Sequence, residues 1–225
     1  MDIRENLEKV QANIAAAATK AGRKPEDIAL IAVSKTFKAE MVREAVEAGQ
    51  LLFGENRVQE LLGKAPDLPA KLRWHLIGHL QSNKVRKVLP VVEMIHSVDS
   101  LELAQDINRI AGELGLFPKV LLEVNVAGEG SKHGFQPEKL EAQMEELFQC
   151  DRIDIHGLMC VPPIAEKPED SRTHFVFLRT FRDTLEKKVA TQFPELSMGM
   201  SGDYTVAVEE GATLVRVGSA IFGGR

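Results

Sequence analysis

The stretch Ile28-Ala29-Leu30-Ile31-Ala32-Val33-Ser34-Lys35 decides how the rest of the chain is interpreted. Its six consecutive apolar residues are typical of a strand that is buried on both faces, as strands are in parallel sheets. Lys35 stands at the end of this strand, where desolvation disfavours an ammonium group and exposes the nucleophilic lone pair that a Schiff base needs. The same pattern also fits a lysine that is simply the first solvated residue after a strand.

Apolar runs and amphipathic segments alternate along the whole chain. The runs predict strands over 28–34, 51–54, 72–77, 92–98, 120–126, 153–159, 196–200 and 213–217. Helical periodicity predicts helices over 2–21, 39–48, 57–63, 81–88, 101–114, 137–148, 171–191 and 203–210. This order predicts a (β/α)8 barrel (TIM barrel) with an additional N-terminal helix, as a single domain over 1–225. A doubly wound sheet is the alternative, but no GxGxxG motif follows the first strand.

Charge and composition exclude several classes of partner. The formal net charge of −5 argues against nucleic acid or an anionic membrane as the main partner. No apolar stretch approaches the ~20 residues of a membrane span, and the charged N-terminus does not resemble a signal peptide. The two cysteines form no CxxC motif, so we expect neither a disulfide framework nor a zinc site. We therefore expect a cytoplasmic protein, either a monomer or a weak dimer.

The strand ends near the C-terminus carry residues suited to phosphate. In barrels of this kind the functional groups gather at the carboxyl ends of the strands, and the last two strands often hold phosphate. Ser201 can offer a hydroxyl there, and Gly218 and Ser219 can offer backbone N–H groups at the start of a final helix. A glycine-serine pair also fits an ordinary helix cap. The coincidence of this pattern with Lys35 at one end of the barrel favours a functional interpretation of both.

Several longer motifs resemble those of a known family. The chain is similar to the pyridoxal phosphate homeostasis proteins, single-domain relatives of the alanine racemase barrel, over nearly its whole length and in the family's order. The motifs are Val33-Ser34-Lys35-Thr36, Phe53-Gly54-Glu55-Asn56-Arg57-Val58-Gln59-Glu60, the segment 74–84, His96-Ser97-Val98-Asp99-Ser100, Gly157-Leu158-Met159, Leu196-Ser197-Met198-Gly199-Met200-Ser201 and the segment 215–223. Departures are small: Phe37-Lys38 replaces the frequent Lys-Pro, and Gly202 stands where a larger residue is common.

This resemblance implies a cofactor and the residues that bind it. Pyridoxal 5′-phosphate is expected as an internal aldimine on Lys35, with phosphate contacts from the last two strand ends and Arg216 facing the pyridine nitrogen. Asn56 is expected to line the pocket. The predicted cofactor-binding residues are Lys35, Asn56, Met200, Ser201, Arg216, Gly218 and Ser219; no metal ligand and no catalytic residue is predicted.

The expected function is vitamin B6 homeostasis with little or no catalysis. An arginine can only donate to the pyridine nitrogen, and an unprotonated pyridine is a weak electron sink. The predicted partners are the cofactor and, beyond it, PLP-dependent apoenzymes. One alternative is an amino-acid racemase, for which the second acid/base group would be missing, because Tyr204 is predicted to be a packing residue. Another is a Schiff-base aldolase acting on a phosphosugar, but the strand ends supply few acid/base partners.

The remaining motifs carry weaker predictions. His75 and His79 flank a strand end and do not share a helix face, so they do not resemble a zinc pair. His75 is predicted to be structural, and His79 to reach the open end of the barrel. The glycine-rich segment 128–134 is either a lid or a solvated loop. The basic residues Lys84, Arg86 and Lys87 are a solvated helix face or a secondary phosphate site.

Overall fold

The computed structural model describes residues 2–128 and 133–224. Within these residues, eight parallel strands close into a barrel in sequence order, which confirms the predicted (β/α)8 fold. The barrel closes where β1 pairs with β8, in the register that joins Ala29 to Leu214 and Ala32 to Val217. The strands are β1 Ala29–Val33, β2 Leu52–Glu55, β3 Arg73–Leu76, β4 Met94–Val98, β5 Lys119–Glu123, β6 Asp154–Met159, β7 Glu195–Met200 and β8 Leu214–Val217.

Helices follow the strands around the outside of the barrel. They are α1 Ile3–Lys20, α2 Ala39–Glu47, α3 Val58–Lys64, α4 Val85–Val88, α5 Leu101–Leu114, α6 Pro137–Ala142, α7 Met144–Phe148, α8 Arg172–Val189, α9 Tyr204–Glu209 and α10 Ser219–Phe222. The single helix expected over 137–148 is wrong in detail, because the backbone leaves helical geometry at Gln143 and divides it into α6 and α7. Among the described helices, none combines the length and the apolar character that crossing a membrane would require.

Apolar side chains form two layers of core. The larger cluster lies between the strands and the helices, and it takes alternate strand residues such as Ala32. The residues that alternate with them form a separate cluster inside the barrel: Ile31, Leu52, Met94, Leu121, Met159 and Leu214. Because side chains alternate between the two faces of a strand, Val33 and Arg216 continue this inner set toward the carboxyl ends. The inner cluster therefore forms the floor beneath the open end of the barrel.

The N-terminal helix α1 is attached to the barrel beside its last two helices. Asn6 Nδ2 donates to the carbonyl of Ile221 at 2.8 Å, and Asn13 Nδ2 donates to the Tyr204 hydroxyl at 3.0 Å. Tyr204 is buried in the outer core, so the prediction that it is a packing residue is confirmed. These contacts join α1 to α9 and α10, next to the predicted phosphate loops.

Candidate functional site

A cavity of ≈ 380 Å³ opens at the carboxyl ends of the strands. Every residue of the predicted cofactor-binding set lines it: Lys35, Asn56, Met200, Ser201, Arg216, Gly218 and Ser219. The prediction omitted the residues Val33, Phe37, Ile77, Val161, Gly202, Gly223 and Gly224, which also line the cavity. Most of these give it an apolar wall or a close backbone approach. Val33, Ile77 and Gly223 lie within the motifs quoted above but were not assigned to the cofactor, although their positions next to strand ends could have suggested them.

Lys35 lies two residues after the end of β1 and lines the cavity, but it is only half-buried. The expectation of a dry strand end is therefore only partly met, because the cavity opens to solvent above the lysine. The next residue, Thr36, has a positive φ of 67°. This left-handed conformation is uncommon for a β-branched residue and points to a locally constrained backbone.

Arg216 on β8 lies inside the barrel, with 4% of its surface exposed. Its guanidinium donates to the carbonyl of Cys160 at 2.8 Å and to the hydroxyl of Ser197. Burial lowers the pKa of Arg216, while the nearby Glu123 acts in the opposite direction. An arginine still keeps its charge under such conditions, so the cavity floor carries a fixed cation.

A chain of hydrogen bonds continues from Arg216 across the barrel interior. His96 Nδ1 lies 2.8 Å from Ser197 Oγ, and His96 Nε2 lies 2.9 Å from His75 Nδ1. Burial lowers the pKa of His75 to about 4 and that of His96 well below its usual range. Both imidazoles are therefore neutral near pH 7, and His75 has the structural position predicted for it.

The loop after β7 meets the loop after β8 through Ser201. The backbone N–H groups of Gly218 and Ala220 donate to Ser201 Oγ at 3.1 and 3.3 Å. The Gly218 N–H was predicted to donate to a ligand, but in the structure it already donates to Ser201. The hydroxyl proton of Ser201 is left to donate to an anion. The helix α10 has only 4 residues, so individual N–H groups matter here more than a helix dipole.

A close approach of two chain segments favours glycine at position 218. A Cβ there would lie 3.2 Å from the carbonyl oxygen of Val33 on β1. Gly202 differs, because a Cβ at that position would meet nothing within 4 Å. The unusual glycine at 202 thus leaves open space beside the cavity.

A cluster of titratable groups lies beside the cavity. Burial raises the pKa of Glu123, at the end of β5, to about 7, with a further contribution from Asp99. His79 Nδ1 and His133 Nδ1 lie 3.1 and 3.4 Å from Asp99 Oδ2. The two imidazole rings stack at 4.2 Å with an interplanar angle of 20°. His79 is hydrogen-bonded to Asp99, and the ligand atoms of His79, Asp99 and His133 all lie within 4.8 Å of one another.

An adjoining pocket contains part of the predicted basic patch. It shares Asn56 with the cavity, and both His79 and Lys84 line it. Arg86 lies elsewhere and forms an ion pair with Glu113. The segment 128–134, predicted as either a lid or a solvated loop, falls largely on residues 129–132, which lie outside the described residues.

Comparison with known proteins places this site in a family. Residues 6–225 match the model of the alanine racemase N-terminal domain. The chain is 43% identical to the pyridoxal phosphate homeostasis protein of Aquifex aeolicus over 226 residues, covering 100% of this chain and 99% of that protein. The chain belongs to the pyridoxal phosphate homeostasis protein family. Within this family, the Pseudomonas aeruginosa protein is 45% identical, over 99% of this chain and 96% of its own.

Solved structures give the same result. The structure of PipY from Synechococcus elongatus with PLP bound has a TM-score of 0.88 and 42% identity, and covers 98% of this chain and 100% of that one. An alanine racemase of Clostridium difficile has a TM-score of 0.76 at 20% identity, and the match covers 57% of that enzyme. At this identity the racemase shows a shared barrel fold and no more.

Proposed function

We propose that this chain binds pyridoxal 5′-phosphate in vitamin B6 homeostasis, holds it through a covalent link to Lys35 and supplies it to PLP-dependent apoenzymes. The observation that carries the proposal is the convergence of Lys35, Ser201 and Arg216 on one cavity of ≈ 380 Å³. The family's name and the PLP bound in the PipY structure support the choice of ligand. The two cysteines are free and buried, which fits the proposed cytoplasmic location.

The donors around the cavity fit the parts of this cofactor. Lys35 offers an amine for the aldehyde, and the Ser201 hydroxyl, whose oxygen already accepts from Gly218 N–H, can donate its proton to a phosphate. Arg216 offers a cation and N–H donors on the cavity floor for the pyridine nitrogen. The volume is within the range of small-molecule sites, which runs from about 300 to 1,000 Å³.

Lys35 would hold the cofactor by a reversible condensation. Its neutral amine adds to the aldehyde carbon, a C=N bond forms, and the aldehyde oxygen leaves as water. Addition of water reverses the link and frees the aldehyde for release. A half-buried lysine at a cavity that opens to solvent suits such a reversible store.

Arg216 would keep the bound cofactor chemically quiet. When bound, pyridoxal phosphate supplies an electron sink for amino-acid chemistry, and that sink is strongest with a protonated pyridine. Because the guanidinium can only donate, the nitrogen opposite it must accept and stay unprotonated. The contacts of Arg216 with Ser197 and Cys160 fix the guanidinium in the cavity floor. This arrangement supports a holder of the cofactor over a catalyst.

The racemase alternative has less support from the described residues. Racemisation needs acid/base groups on both faces of the substrate, and the chain has 1 tyrosine. That residue, Tyr204, is buried against α1, and its hydroxyl bonds Asn13. It does not line the cavity, so it is not placed to act as the second base.

Titration of the purified apoprotein with pyridoxal 5′-phosphate tests the proposal. The wild type should develop the visible absorption band of a lysine-linked cofactor, and Lys35→Ala should not, while its thermal unfolding stays unchanged. Lys38→Ala is the matched control, because Lys38 is an exposed lysine in the same loop. Equal bands in the wild type and in Lys35→Ala would reject Lys35 as the linking residue. New racemisation of common amino acids by the loaded wild type would favour the alternative.

A further inference from the structure

The backbone on both sides of Lys35 is held by one face of α3. Before the lysine, Lys64 Nζ donates to the carbonyl of Ser34 at 2.8 Å. After it, the N–H of Thr36 donates to Glu60 Oε2 at 2.9 Å. Glu60 and Lys64 are one turn apart on α3, so neighbouring positions of one helix make both contacts.

The conformation of Thr36 requires such support. Its φ of 67° is unfavourable for a β-branched residue and persists where surrounding contacts impose it. The Glu60 carboxylate accepts the hydrogen bond of this same residue. The turn after Lys35 is therefore held in a conformation that a free threonine would rarely adopt.

The support on the other side of Lys35 is a buried ion pair. Lys64 Nζ lies 2.5 Å from Glu55 Oε1, which also accepts from the Ser34 hydroxyl at 2.7 Å. The side chains of Lys64 and Glu55 are 9% and 0% exposed. Burial raises the pKa of Glu55, and the hydrogen bonds from Lys64 and Ser34 lower it. Among the described residues, nothing pairs with Glu55 Oε2.

A pair of this kind is a poor source of stability. Taking both charges out of water costs about as much as their attraction returns, and an apolar pair of similar size is often as stable. The pair does, however, bond both the carbonyl and the hydroxyl of Ser34. Its clearest effect in the structure is to fix the residue before Lys35.

The contacts of α3 act through the backbone and not through the cavity. Neither Glu60 nor Lys64 is among the described residues that line the cavity around Lys35. Ser34 and Glu55 face α3 on the outside of the barrel, whereas Val33 and Lys35 line the cavity. A change in α3 can therefore alter the direction of Lys35 without removing a group that touches the ligand.

We infer that α3 is a clamp for the cofactor-linking lysine, with Glu60 and Lys64 as its positioning residues. The inference rests on the proposed function, because it assumes that Lys35 forms the covalent link. The clamp makes the link favourable by holding the amine in one direction, which leaves less freedom to lose when the bond forms. It should affect only that part of binding which depends on the aldehyde.

Two ligands separate the clamp from an ordinary structural role. Pyridoxal 5′-phosphate can form the link, and pyridoxine 5′-phosphate, which has no aldehyde, cannot. Glu60→Ala should weaken binding of the first about tenfold, because the released backbone must then be ordered when the covalent link forms, and leave binding of the second unchanged. Glu60→Gln should behave as the wild type, because its amide oxygen still accepts from Thr36. Glu141→Ala, at an exposed ion pair with Lys188, is the matched control.

A second variant tests the other half of the clamp. Lys64→Met alone leaves the Glu55 charge buried and risks misfolding, so Glu55→Gln with Lys64→Met removes both charges together. This double variant should also lose aldehyde-dependent affinity selectively. Equal weakening of both ligands, or no change in either, would refute the clamp.

The outcomes also distinguish the clamp from the proposed function. If the wild type binds pyridoxal 5′-phosphate no better than Lys35→Ala does, the covalent link is refuted and the clamp falls with it. If the wild type binds better than Lys35→Ala and Glu60→Ala matches the wild type with both ligands, only the clamp is refuted.

Discussion

Arg216 is the side chain that, in the proposed site, would decide what a bound cofactor is able to do. The guanidinium is buried, bonded to Ser197 and Cys160, and directed by them to the cavity floor. A donor in this position keeps an aromatic nitrogen unprotonated, whereas a carboxylate would accept a hydrogen bond from a protonated nitrogen and so favour the protonated form. In the proposed function, the distinction between holding and using the cofactor would thus depend on the sign of the charge at residue 216.

Arg216→Glu should lose the cofactor. A carboxylate there faces the nearby Glu123 and the incoming phosphate, so like charges meet in a partly desolvated site. We expect affinity for pyridoxal 5′-phosphate to fall by ~2 kcal/mol or more, which is at least about 30-fold. Arg216→Gln, whose amide still donates, should bind more tightly than Arg216→Glu. Equilibrium dialysis measures both, with circular dichroism to verify the fold. A variant that kept the cofactor, an unaltered spectrum and no new reactivity would show that Arg216 points elsewhere.

At the scale of elements, Ser201 joins the end of β7 to the start of α10. It accepts hydrogen bonds from Gly218 and Ala220, and α10 in turn contacts α1 through Ile221. The two predicted phosphate loops are therefore one connected unit and not two independent turns. A change at Ser201 should affect the phosphate and the junction together.

Ser201→Ala should weaken binding of pyridoxal 5′-phosphate by ~1.5–3 kcal/mol, the value of a hydrogen bond to a charged group. Pyridoxal without the phosphate is the control ligand, and its affinity should be the same in the variant and in the wild type. Isothermal titration with both ligands measures the difference. If the wild type bound pyridoxal as tightly as its phosphate ester, Ser201 and its neighbours would not form a phosphate site.

The sequence predicts some elements of the structure better than others. Apolar runs and the glycine or proline residues between them predicted all the barrel strands to within a few residues, because burial on both faces leaves a clear pattern. The break between α6 and α7 at Gln143 was missed, since no glycine or proline marks it. The apolar residues keep their helical spacing across this break, so the sequence pattern does not show the change in backbone conformation.

Residues of the candidate site could be predicted from the sequence only where a motif lies at the end of a strand. Lys35, Ser201 and Arg216 could be brought together because parallel strands align their carboxyl ends. The contacts that support these residues could not be predicted. His96 and Ser197, for example, are 101 residues apart and meet only because the barrel closes. The Lys64–Glu55 pair was equally hidden, since a lysine and a glutamate near a helix look like ordinary surface residues.

At the scale of the whole molecule, the interior chain from His75 to Arg216 spans the barrel from β3 to β8. These hydrogen bonds hold two neutral imidazoles in the barrel interior, where a charged imidazole would be strongly destabilised. Such groups make the stability of the fold depend on pH. The structure determines whether acid stabilises or destabilises the fold.

Acid should destabilise the apoprotein through His75. Burial lowers its pKa from 6.5 to about 4, so between these values the unfolded chain binds a proton that the folded chain excludes. Stability is therefore lost as pH falls from about 6.5 toward 4, and His75 should contribute a loss of about 2 kcal/mol between pH 7 and pH 5. Urea unfolding at both pH values measures it. Glu123, whose pKa is raised to about 7, has the opposite sign, so the comparison must be with a variant.

His75→Asn supplies that comparison. It cannot titrate in this range, and the contribution of Glu123 is present in both proteins. The variant should lose about 2 kcal/mol less than the wild type between the two pH values, whatever its absolute stability. Parallel profiles for the two proteins would show that His75 titrates normally.

The central claim is that Lys35 links the cofactor, and borohydride reduction of the loaded wild-type protein tests it most directly. Reduction converts a lysine-linked pyridoxal phosphate into a stable secondary amine, which peptide mass spectrometry can assign to one residue. The structure predicts the label on Lys35 and its absence from Lys38 and Lys64. A label confined to another lysine, or no label on a protein that retains the cofactor, would contradict this account.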